Sequence, residues 1–301
     1  MEQEGPAPVI GIIGGSGLYD IDGLSETSWN AVETPFGSPS DELLTGQFGG
    51  QPVVFLPRHG RGHKLSPSEV NYRANIYALK SLGVTEILSL SACGSFKEVL
   101  PPGSFVLVDQ FIDRTFAREK TFFGDGFVAH VSVAHPTCGR LGADLETAVK
   151  LVGVPYQKGG TYLAMEGPQF STLAESNLYQ AWGCDVIGMT NMPEAKLARE
   201  AEMCFSTIGM VTDYDCWHPD HGEVTVDQVI QTLLTNADKA KSLVKTIIPL
   251  LSKRVGFCEE GCHTALDNSI ITAPGAQDPG RISTLGPILT RVLGGYEKPD
   301  L

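Results

Sequence analysis

Two carboxylates, Asp213 and Asp215, stand one residue apart where a charge-free apolar run, Phe205–Val211, gives way to polar residues. Such a run predicts a buried strand, and residues two apart on a strand share one face. Two acids placed so close raise each other's pKa, so a hydrogen-bond donor on a ligand would suit them. Because ligands of open α/β sheets bind at the carboxyl ends of strands, the pair is a candidate site. The alternative is a turn in which one acid caps the next element.

Four other predicted strand ends carry groups that could bind an oxyanion. The glycine loop Gly14–Gly17 could direct backbone N–H groups at an anion, but its spacing fits neither a dinucleotide-binding nor a Walker fingerprint. An arginine beside a histidine, and small residues that offer hydroxyls or backbone donors, follow other strands. The candidate groups are Ser16, Arg58, His59, Ser91, Ala92 and Thr190. Each has a structural alternative, such as a tight turn or a surface salt bridge, but together they predict one oxyanion site.

The segment Glu166–Thr172 places an aromatic ring and two hydroxyls at the start of a predicted helix. Phe170 could stack on a flat ligand ring or belong to the core. Ser171 could face the same ligand or cap the helix. Residue types alone leave both pairs of readings open.

Two motifs have the appearance of metal sites. His59 and His63 have the spacing of a zinc-binding helix, but two glycines oppose a helix there and no Glu lies between them. Cys258 and Cys262 resemble one half of a metal cluster, and the sequence offers no second ligand pair beside them. We therefore expect no metal site.

The composition is that of an ordinary globular chain. Its 301 residues are 42% hydrophobic and 19% charged, which allows one large α/β domain or two small ones. The formal charge of −13 argues against nucleic acid or an anionic membrane as a partner, although local donors could still bind a small anion. The seven cysteines are scattered and mostly lie in apolar runs, so we expect reduced thiols in a cytoplasmic protein without a signal segment or membrane span.

Short apolar strands alternate with helical patterns along most of the chain. The predicted strands are Val9–Ile13, Val53–Leu56, Glu86–Leu90, Phe105–Val108, Asp185–Met189 and Phe205–Val211. The predicted helices are Ser68–Leu82, Leu141–Val152, Thr172–Trp182, Pro193–Ala201 and Val226–Leu251. This alternation predicts an α/β fold, a single-domain three-layer sandwich with a mixed central β-sheet flanked by helices. We expect residues 1–252 to form this domain and residues 253–301 to form a linker and tail, partly disordered or with one short helix.

Nine motifs, taken together and in order, resemble those of the trimeric purine nucleoside phosphorylases. They are Gly14–Gly17, Thr34–Gly37, Arg58–Gly60, Asn71–Asn75, Ala92–Gly94, Asp109–Asp113, Glu166–Pro168, Met189–Thr190 and Thr212–Trp217. Within that family the chain most resembles the enzymes that act on 5′-methylthioadenosine. The resemblance covers roughly residues 8–252 and fades over the tail.

The resemblance implies a nucleoside phosphorylase fold, a homotrimer, and phosphorolysis of 5′-methylthioadenosine with inorganic phosphate as co-substrate and no other cofactor. Asp213 would share or donate a proton at purine N7, and Asp215 would accept from N6. The six oxyanion candidates would bind phosphate. The remaining substrate contacts would come from Phe170 and Ser171 at the base, Met189 under the ribose, Val226, Val229 and Ile230 around the methylthio group, and His130 of a neighbouring subunit.

Two positions imply a 6-aminopurine. Enzymes of 6-oxopurine nucleosides have Glu where this chain has Ser171, and Asn where it has Asp213. Acidic acceptors suit the N6 donor of adenine and repel a 6-oxo group. A phosphorylase of methylthioinosine or adenosine is the alternative enzyme. A non-catalytic nucleoside sensor is a further alternative, although a sensor would not need the phosphate residues.

Overall fold

The computed structural model describes residues 7–15, 18, 21–219, 225–254 and 256–293, and eleven strands and six α-helices lie within them. The strands are β1 (Ile10–Gly14), β2 (Leu24–Asn30), β3 (Leu43–Phe48), β4 (Gln51–Pro57), β5 (Glu86–Ser95), β6 (Phe105–Val108), β7 (Gln110–Asp113), β8 (Tyr156–Lys158), β9 (Thr161–Ala164), β10 (Val186–Gly188) and β11 (Cys204–Asp213). The helices are α1 (Tyr72–Ser81), α2 (Gly139–Val152), α3 (Leu173–Ala181), α4 (Asn191–Glu200), α5 (Val226–Leu251) and α6 (Pro279–Leu293).

Strand β5 is the centre of a mixed sheet. It pairs in parallel with β1 and with β11, and its last residues pair with β10 in the antiparallel sense. From β1 the sheet continues through β4 and β3 to β2, and from β10 through β9 to β7. Nearly every residue of β5 and β11 is buried, as expected for strands covered on both faces.

Helices cover both faces of the sheet. Helices α1, α4 and α6 contribute to one hydrophobic core, and α2 and α5 contribute to a second core on the other side. This arrangement confirms the predicted three-layer α/β sandwich with a mixed central sheet. Among the described residues, none of the helices combines the length and the apolar character that crossing a bilayer would require.

Every predicted strand and helix is present, but some boundaries differ. Helix α1 begins at Tyr72 rather than Ser68 because the Asn71 side chain accepts a hydrogen bond from the backbone N–H of Ala74 at 3.1 Å and caps the helix there. The sequence patterns missed β2, β3, β7, β8 and β9, which are short or partly exposed. Helix α2 is capped after Val152 by Gly153, whose φ of 76° is left-handed, as predicted.

The segment after α5 is folded against the rest of the chain over its described residues. Helix α6 buries Leu285, Ile288 and Leu289 in the same core as α1 and α4. Ile270 forms a β-bridge with Ala129. The Arg291 guanidinium donates hydrogen bonds to Glu202 at 2.6 and 2.7 Å, which ties α6 to the loop before β11.

Candidate active site

A cavity of about 670 Å³ opens at the carboxyl ends of β1, β4, β10 and β11, beside the second half of β5. Most of the predicted site residues line it, although they come from distant parts of the chain. These lining residues are Arg58, His59, Ser91, Ala92, Phe170, Met189, Thr190, Asp213, Asp215, Val226, Val229 and Ile230. The structure therefore brings the acid pair, the oxyanion candidates and the apolar wall into one cavity.

Three predicted residues are not among those that line the cavity. Ser16 lies outside the described residues, next to Gly15, which does line it. Ser171 lies just behind the wall, with its hydroxyl 3.8 Å from the Met165 sulfur. It does not cap α3, because Thr172 does so in a capping box with Glu175. His130 is exposed.

Asp213 and Asp215 lie close together because of a turn, and not because they share a strand face as predicted. Strand β11 ends at Asp213 after a register shift, and Asp215 lies in the following turn with a left-handed φ of 52°. The expectation that both acids lie on one strand face is therefore wrong. The backbone N–H of Asp215 donates to Asp213 Oδ1 at 2.8 Å, so the turn itself holds the pair together.

Burial raises the pKa of Asp213. Two hydrogen bonds act in the opposite direction, one from the Thr212 hydroxyl at 2.7 Å and one from the Asp215 amide. The net upward direction means that Asp213 holds a proton at a higher pH than an ordinary aspartate does. A carboxyl in this state can act as a general acid.

Asp215 is 5% exposed, and no described residue donates a hydrogen bond to its Oδ2. Burial raises the pKa of this carboxyl; the nearby Ser176 hydroxyl lowers it and the charge of Asp213 raises it further. A buried carboxylate oxygen is costly unless it accepts a hydrogen bond. Asp215 therefore presents an acceptor that a ligand donor would satisfy.

Gly94 of β5 lets the neighbouring strand approach the acid pair. A Cβ atom at this position would lie 2.7 Å from Asp213 Oδ1 and 3.2 Å from a methyl group of Ile187. The absence of a side chain at Gly94 is therefore a steric requirement of the Asp213 position.

Arg58 lies at the other end of the cavity, almost fully buried. Its Nε and Nη2 donate to Glu194 at 2.5 and 3.0 Å, its Nη1 to the Leu90 carbonyl at 2.9 Å, and its Nη2 also to the Ser89 hydroxyl at 2.6 Å. These contacts use four of the five N–H groups that a guanidinium offers. One donor on Nη1 remains, and the charge of Arg58 is balanced by Glu194.

His59 is held in one tautomer by Leu65. Its Nδ1 lies 2.8 Å from the Leu65 carbonyl oxygen, which can only accept, so Nδ1 carries the proton. Burial, together with the charge of Arg58, lowers the pKa of His59 to about 4. At neutral pH the ring is uncharged and its Nε2 is an acceptor.

Hydroxyl groups occupy the space between these residues. Ser91 Oγ lies 3.2 Å from both Thr190 Oγ1 and the Tyr162 hydroxyl. Thr190 precedes α4 and makes no side-chain cap to it, and its only hydrogen bond among the described side chains is the one with Ser91, so its hydroxyl can also bind a ligand. This end of the cavity thus combines a guanidinium donor with rotatable O–H groups.

The opposite wall is apolar and comes from the first half of α5. Val226, Ile230 and Leu234 are exposed large hydrophobic residues that line the cavity, joined by Val229. Phe170 faces the same space and is 43% exposed. An apolar ligand group would bury this surface.

The sequence reading missed Arg118, a buried residue that joins two of the loops around the cavity. It donates to the carbonyls of Met189, Met192 and Glu166 at 2.5, 2.7 and 2.7 Å. Burial would raise the pKa of Glu166, but the Ser68 hydroxyl, two backbone amides and Arg118 hold it at about 2. The motif Glu166-Gly-Pro168 is visible in the sequence, but no local pattern points to its arginine partner 48 residues away.

Residues 9–249 match the family model of the phosphorylase superfamily. The chain belongs to the phosphorylase superfamily. Curated relatives of this phosphorylase carry the name S-methyl-5′-thioadenosine phosphorylase. That of Cereibacter sphaeroides is 61% identical and that of Rhodospirillum rubrum 62%, each over 95% of this chain and nearly all of the relative. The similarity thus includes most of the tail, where the predicted resemblance had faded.

Solved structures of this superfamily have the same fold. A methylthioadenosine phosphorylase from an antarctic soil metagenomic library superposes with a TM-score of 0.87, at 47% identity over 94% of this chain and 99% of that one. An adenosine/methylthioadenosine phosphorylase variant from Schistosoma mansoni, solved with adenine, gives 0.83 at 36% identity over 87% of this chain and 99% of that one. Both the fold class and the family expected from the motifs are confirmed.

Proposed function

We propose that this protein cleaves 5′-methylthioadenosine with inorganic phosphate, giving adenine and 5-methylthioribose 1-phosphate. It is a pentosyltransferase of the phosphorylase superfamily, and its relatives at 61% and 62% identity carry the name of this activity. The reaction as proposed uses the chain's own side chains and amides with phosphate as co-substrate.

The unpaired oxygen of Asp215 is the main observation in favour of a 6-aminopurine as the base. A 6-aminopurine presents an N6–H donor to such an acceptor, whereas a 6-oxopurine would present a second acceptor. A ligand without this donor would leave the buried Asp215 oxygen unpaired, so the site should discriminate strongly against 6-oxopurines. Adenine fits Asp215, and hypoxanthine or guanine does not.

Asp213 supplies the proton for the departing base. In the reaction the bond between C1′ and N9 breaks, its electron pair moves into the purine ring, and N7 takes a proton. The raised pKa of Asp213 suits this role, because the carboxyl must still be protonated when the base leaves. The amide of Asp215 then stabilises the carboxylate that forms.

Phosphate binds at the Arg58 end of the cavity and attacks C1′ as the base departs. The remaining Nη1–H of Arg58 and the hydroxyls of Ser91 and Thr190 support this placement. We assign His59, the Ala92 amide and Ser16 to the same site. Fixing the phosphate beside C1′ raises its effective concentration, and its negative charge stabilises the oxocarbenium-like sugar.

The apolar wall accounts for the 5′ group. A methylthio group buries apolar area against Val226, Val229 and Ile230, where a 5′-hydroxyl would lose its hydrogen bonds to water. Met189 packs under the ribose and Phe170 lines the base, with Ser171 behind it. Adenosine should therefore be a poorer substrate than its methylthio analogue.

We further propose a cytoplasmic homotrimer in which His130 of each subunit completes the cavity of a neighbour. His130 is exposed in the single chain, and its backbone N–H donates a hydrogen bond to the Ser269 carbonyl at 2.8 Å. Phe116 is 82% exposed although its amide is bound to Glu166 near the cavity, which is unusual for so large an apolar side chain. An interface between subunits would bury such residues in the trimer and would explain why they are exposed in the single chain.

The test is free-base release measured by chromatography. The protein is incubated with 5′-methylthioadenosine, adenosine or inosine, each with and without phosphate. We expect adenine from the methylthio substrate only when phosphate is present, less from adenosine, and no hypoxanthine from inosine. Comparable release from inosine would contradict the base assignment, and release without phosphate would contradict phosphorolysis.

A further inference from the structure

Four buried cysteines meet at the end of the sheet opposite the candidate active site. Cys138 caps α2, Cys204 is the first residue of β11, and Cys258 and Cys262 belong to the segment after α5. Each is at most 6% exposed, and all are free thiols. Their four Sγ atoms lie within 4.8 Å of one another.

This geometry is close to that of a tetrahedral thiolate site. A Zn–S distance of about 2.3 Å places the four sulfurs of a tetrahedron about 3.8 Å apart. The Cys138 and Cys258 sulfurs are 3.6 Å apart. A metal ion at the centre would therefore require only small movements of the side chains.

The surroundings also suit thiolates. The backbone N–H of Leu141 donates to Cys138 Sγ at 3.4 Å, and Arg140 Nη2 donates to Cys204 Sγ at 3.3 Å. Such outer donors orient metal ligands and offset the negative charge of four thiolates around a divalent ion. A cavity of about 270 Å³ is lined by Cys204 and Cys258, which gives an ion a route to the sulfurs.

We propose that Cys138, Cys204, Cys258 and Cys262 bind a structural Zn²⁺ ion. Four sulfur ligands select a soft or borderline ion and leave no open coordination position, so the site is structural rather than catalytic. Binding replaces the thiol protons, which go to solvent, with four Zn–S bonds, and no oxidation or reduction occurs. The ion fastens the segment after α5 to α2 and β11.

The proposal revises the expectation of no metal. The motif Cys258-x-x-x-Cys262 had no visible partner pair because Cys138 and Cys204 are far away in the sequence. Folding brings them together, since the Cys138 N–H donates to the Phe205 carbonyl at 2.8 Å, one residue beyond Cys204.

The experiment measures the metal content of the full chain, expressed with added zinc and purified under reducing conditions. Elemental analysis should give one zinc per chain. Titration with an organomercurial should release that zinc as four thiols react, and replacement by Co²⁺ should give the visible d–d bands and near-ultraviolet charge transfer of a tetrahedral thiolate site. The double variant C258S/C262S should lose the zinc, and the control Cys184→Ala, a buried thiol outside the cluster, should keep it.

The wild-type measurements decide the matter even if the double variant does not fold. Zinc far below one per chain after zinc-supplied, reducing preparation would overturn the proposal, as would iron in its place. Intact mass and peptide mapping that show disulfides among these four cysteines would also overturn it. Zinc that stays in C258S/C262S would show that another site binds it.

Discussion

Two buried carboxylates near opposite ends of strand β11, Glu202 and Asp215, differ in whether other residues satisfy their hydrogen bonds. At the amino end, the Glu202 carboxylate accepts from the Arg291 side chain and from the Leu266 amide, and Cys204 accepts from Arg140. At the carboxyl end, Asp215 has an oxygen that no described residue satisfies.

This contrast separates stability from function along one strand. At the amino end, the ion pair between Arg291 and Glu202 holds the segment after α5 in place. The acids at the carboxyl end are costly to bury, and burial is the main reason that the pKa of each is raised. Buried acids with raised pKa values are typical of functional sites, where a ligand can supply the missing hydrogen-bond donor.

The largest effect on rate should come from Asp213→Asn, which removes the proposed acid but retains the shape. We expect kcat to fall about 100- to 10,000-fold, with little change in phosphate affinity. Single-turnover kinetics and phosphate titration would measure the two quantities. Equal losses in both would refute the assigned role.

The same variant has a pH signature. With a raised pKa in the folded state, Asp213 contributes stability that is fully present below its unfolded-state pKa and lost as pH rises through its folded-state pKa. At neutral pH the Asn variant should therefore be no less stable than the wild type. The wild-type rate should decline as the pH rises through the raised folded-state pKa of Asp213, and the variant should lack that decline.

A smaller effect is expected for Asp215→Asn. The amide can donate where the carboxylate could only accept, so kcat/KM for 5′-methylthioadenosine should fall about 10- to 100-fold. The preference over a 6-oxopurine nucleoside should shrink in parallel. Steady-state rates with both substrates would test this, and an unchanged ratio of the two would assign Asp215 a role unrelated to the base.

Gly94→Ala should reduce the rate at the carboxyl end of β11 by a steric effect on Asp213, without changing any catalytic group. The added methyl group would displace the Asp213 carboxylate, and we expect a fall in kcat of about tenfold. Gly142→Ala in α2 is the matched control, because its Cβ would meet nothing within 4 Å. The control should keep kcat and gain slightly in thermal stability. If the two variants had the same kcat, the steric role of Gly94 would be excluded.

Arg291→Met tests the amino end and should have the smallest effect on rate. It leaves the 7%-exposed Glu202 without its cation, so the free energy of unfolding should fall by about 1–3 kcal/mol while kcat stays the same. Urea unfolding and steady-state kinetics measure both. The control Lys245→Met removes an ion pair whose partner, Asp22, is fully exposed, and should change stability far less. A loss of kcat in Arg291→Met would show that the two ends are coupled.

The two ends also differ in how far the sequence predicts them. Asp213 and Asp215 are two residues apart after an apolar run, so the pair and its strand-end position were predictable. Its conformation was not, because no residue pattern marks the left-handed turn at Asp215 or the close approach of Gly94, 119 residues before Asp213 in the chain. The oxyanion residues were predictable for a similar reason, since Arg58, His59 and Thr190 lie within two residues of a strand end, although Ser91 and Ala92 lie inside β5 rather than after it.

Contacts between segments that are distant in the sequence could not be predicted from local residue patterns. No local pattern links Arg58 to Glu194, Arg118 to Glu166, or Cys204 to Cys258. These contacts form only when the layers of the sandwich assemble. Short edge strands such as Tyr156–Lys158 were missed for the same reason, since pairing with β6 rather than residue type makes them strands.

The hydrogen bond between His59 and Leu65 has a consequence for anion selection. It leaves a lone pair on Nε2, while Glu194 cancels the charge of Arg58, so the site offers an oxyanion an acceptor and no net positive charge. Phosphate near neutral pH keeps a proton that it can donate to this nitrogen, and sulfate has none. Sulfate should therefore compete weakly with phosphate despite its similar size and charge, and raising the ionic strength should affect phosphate binding little.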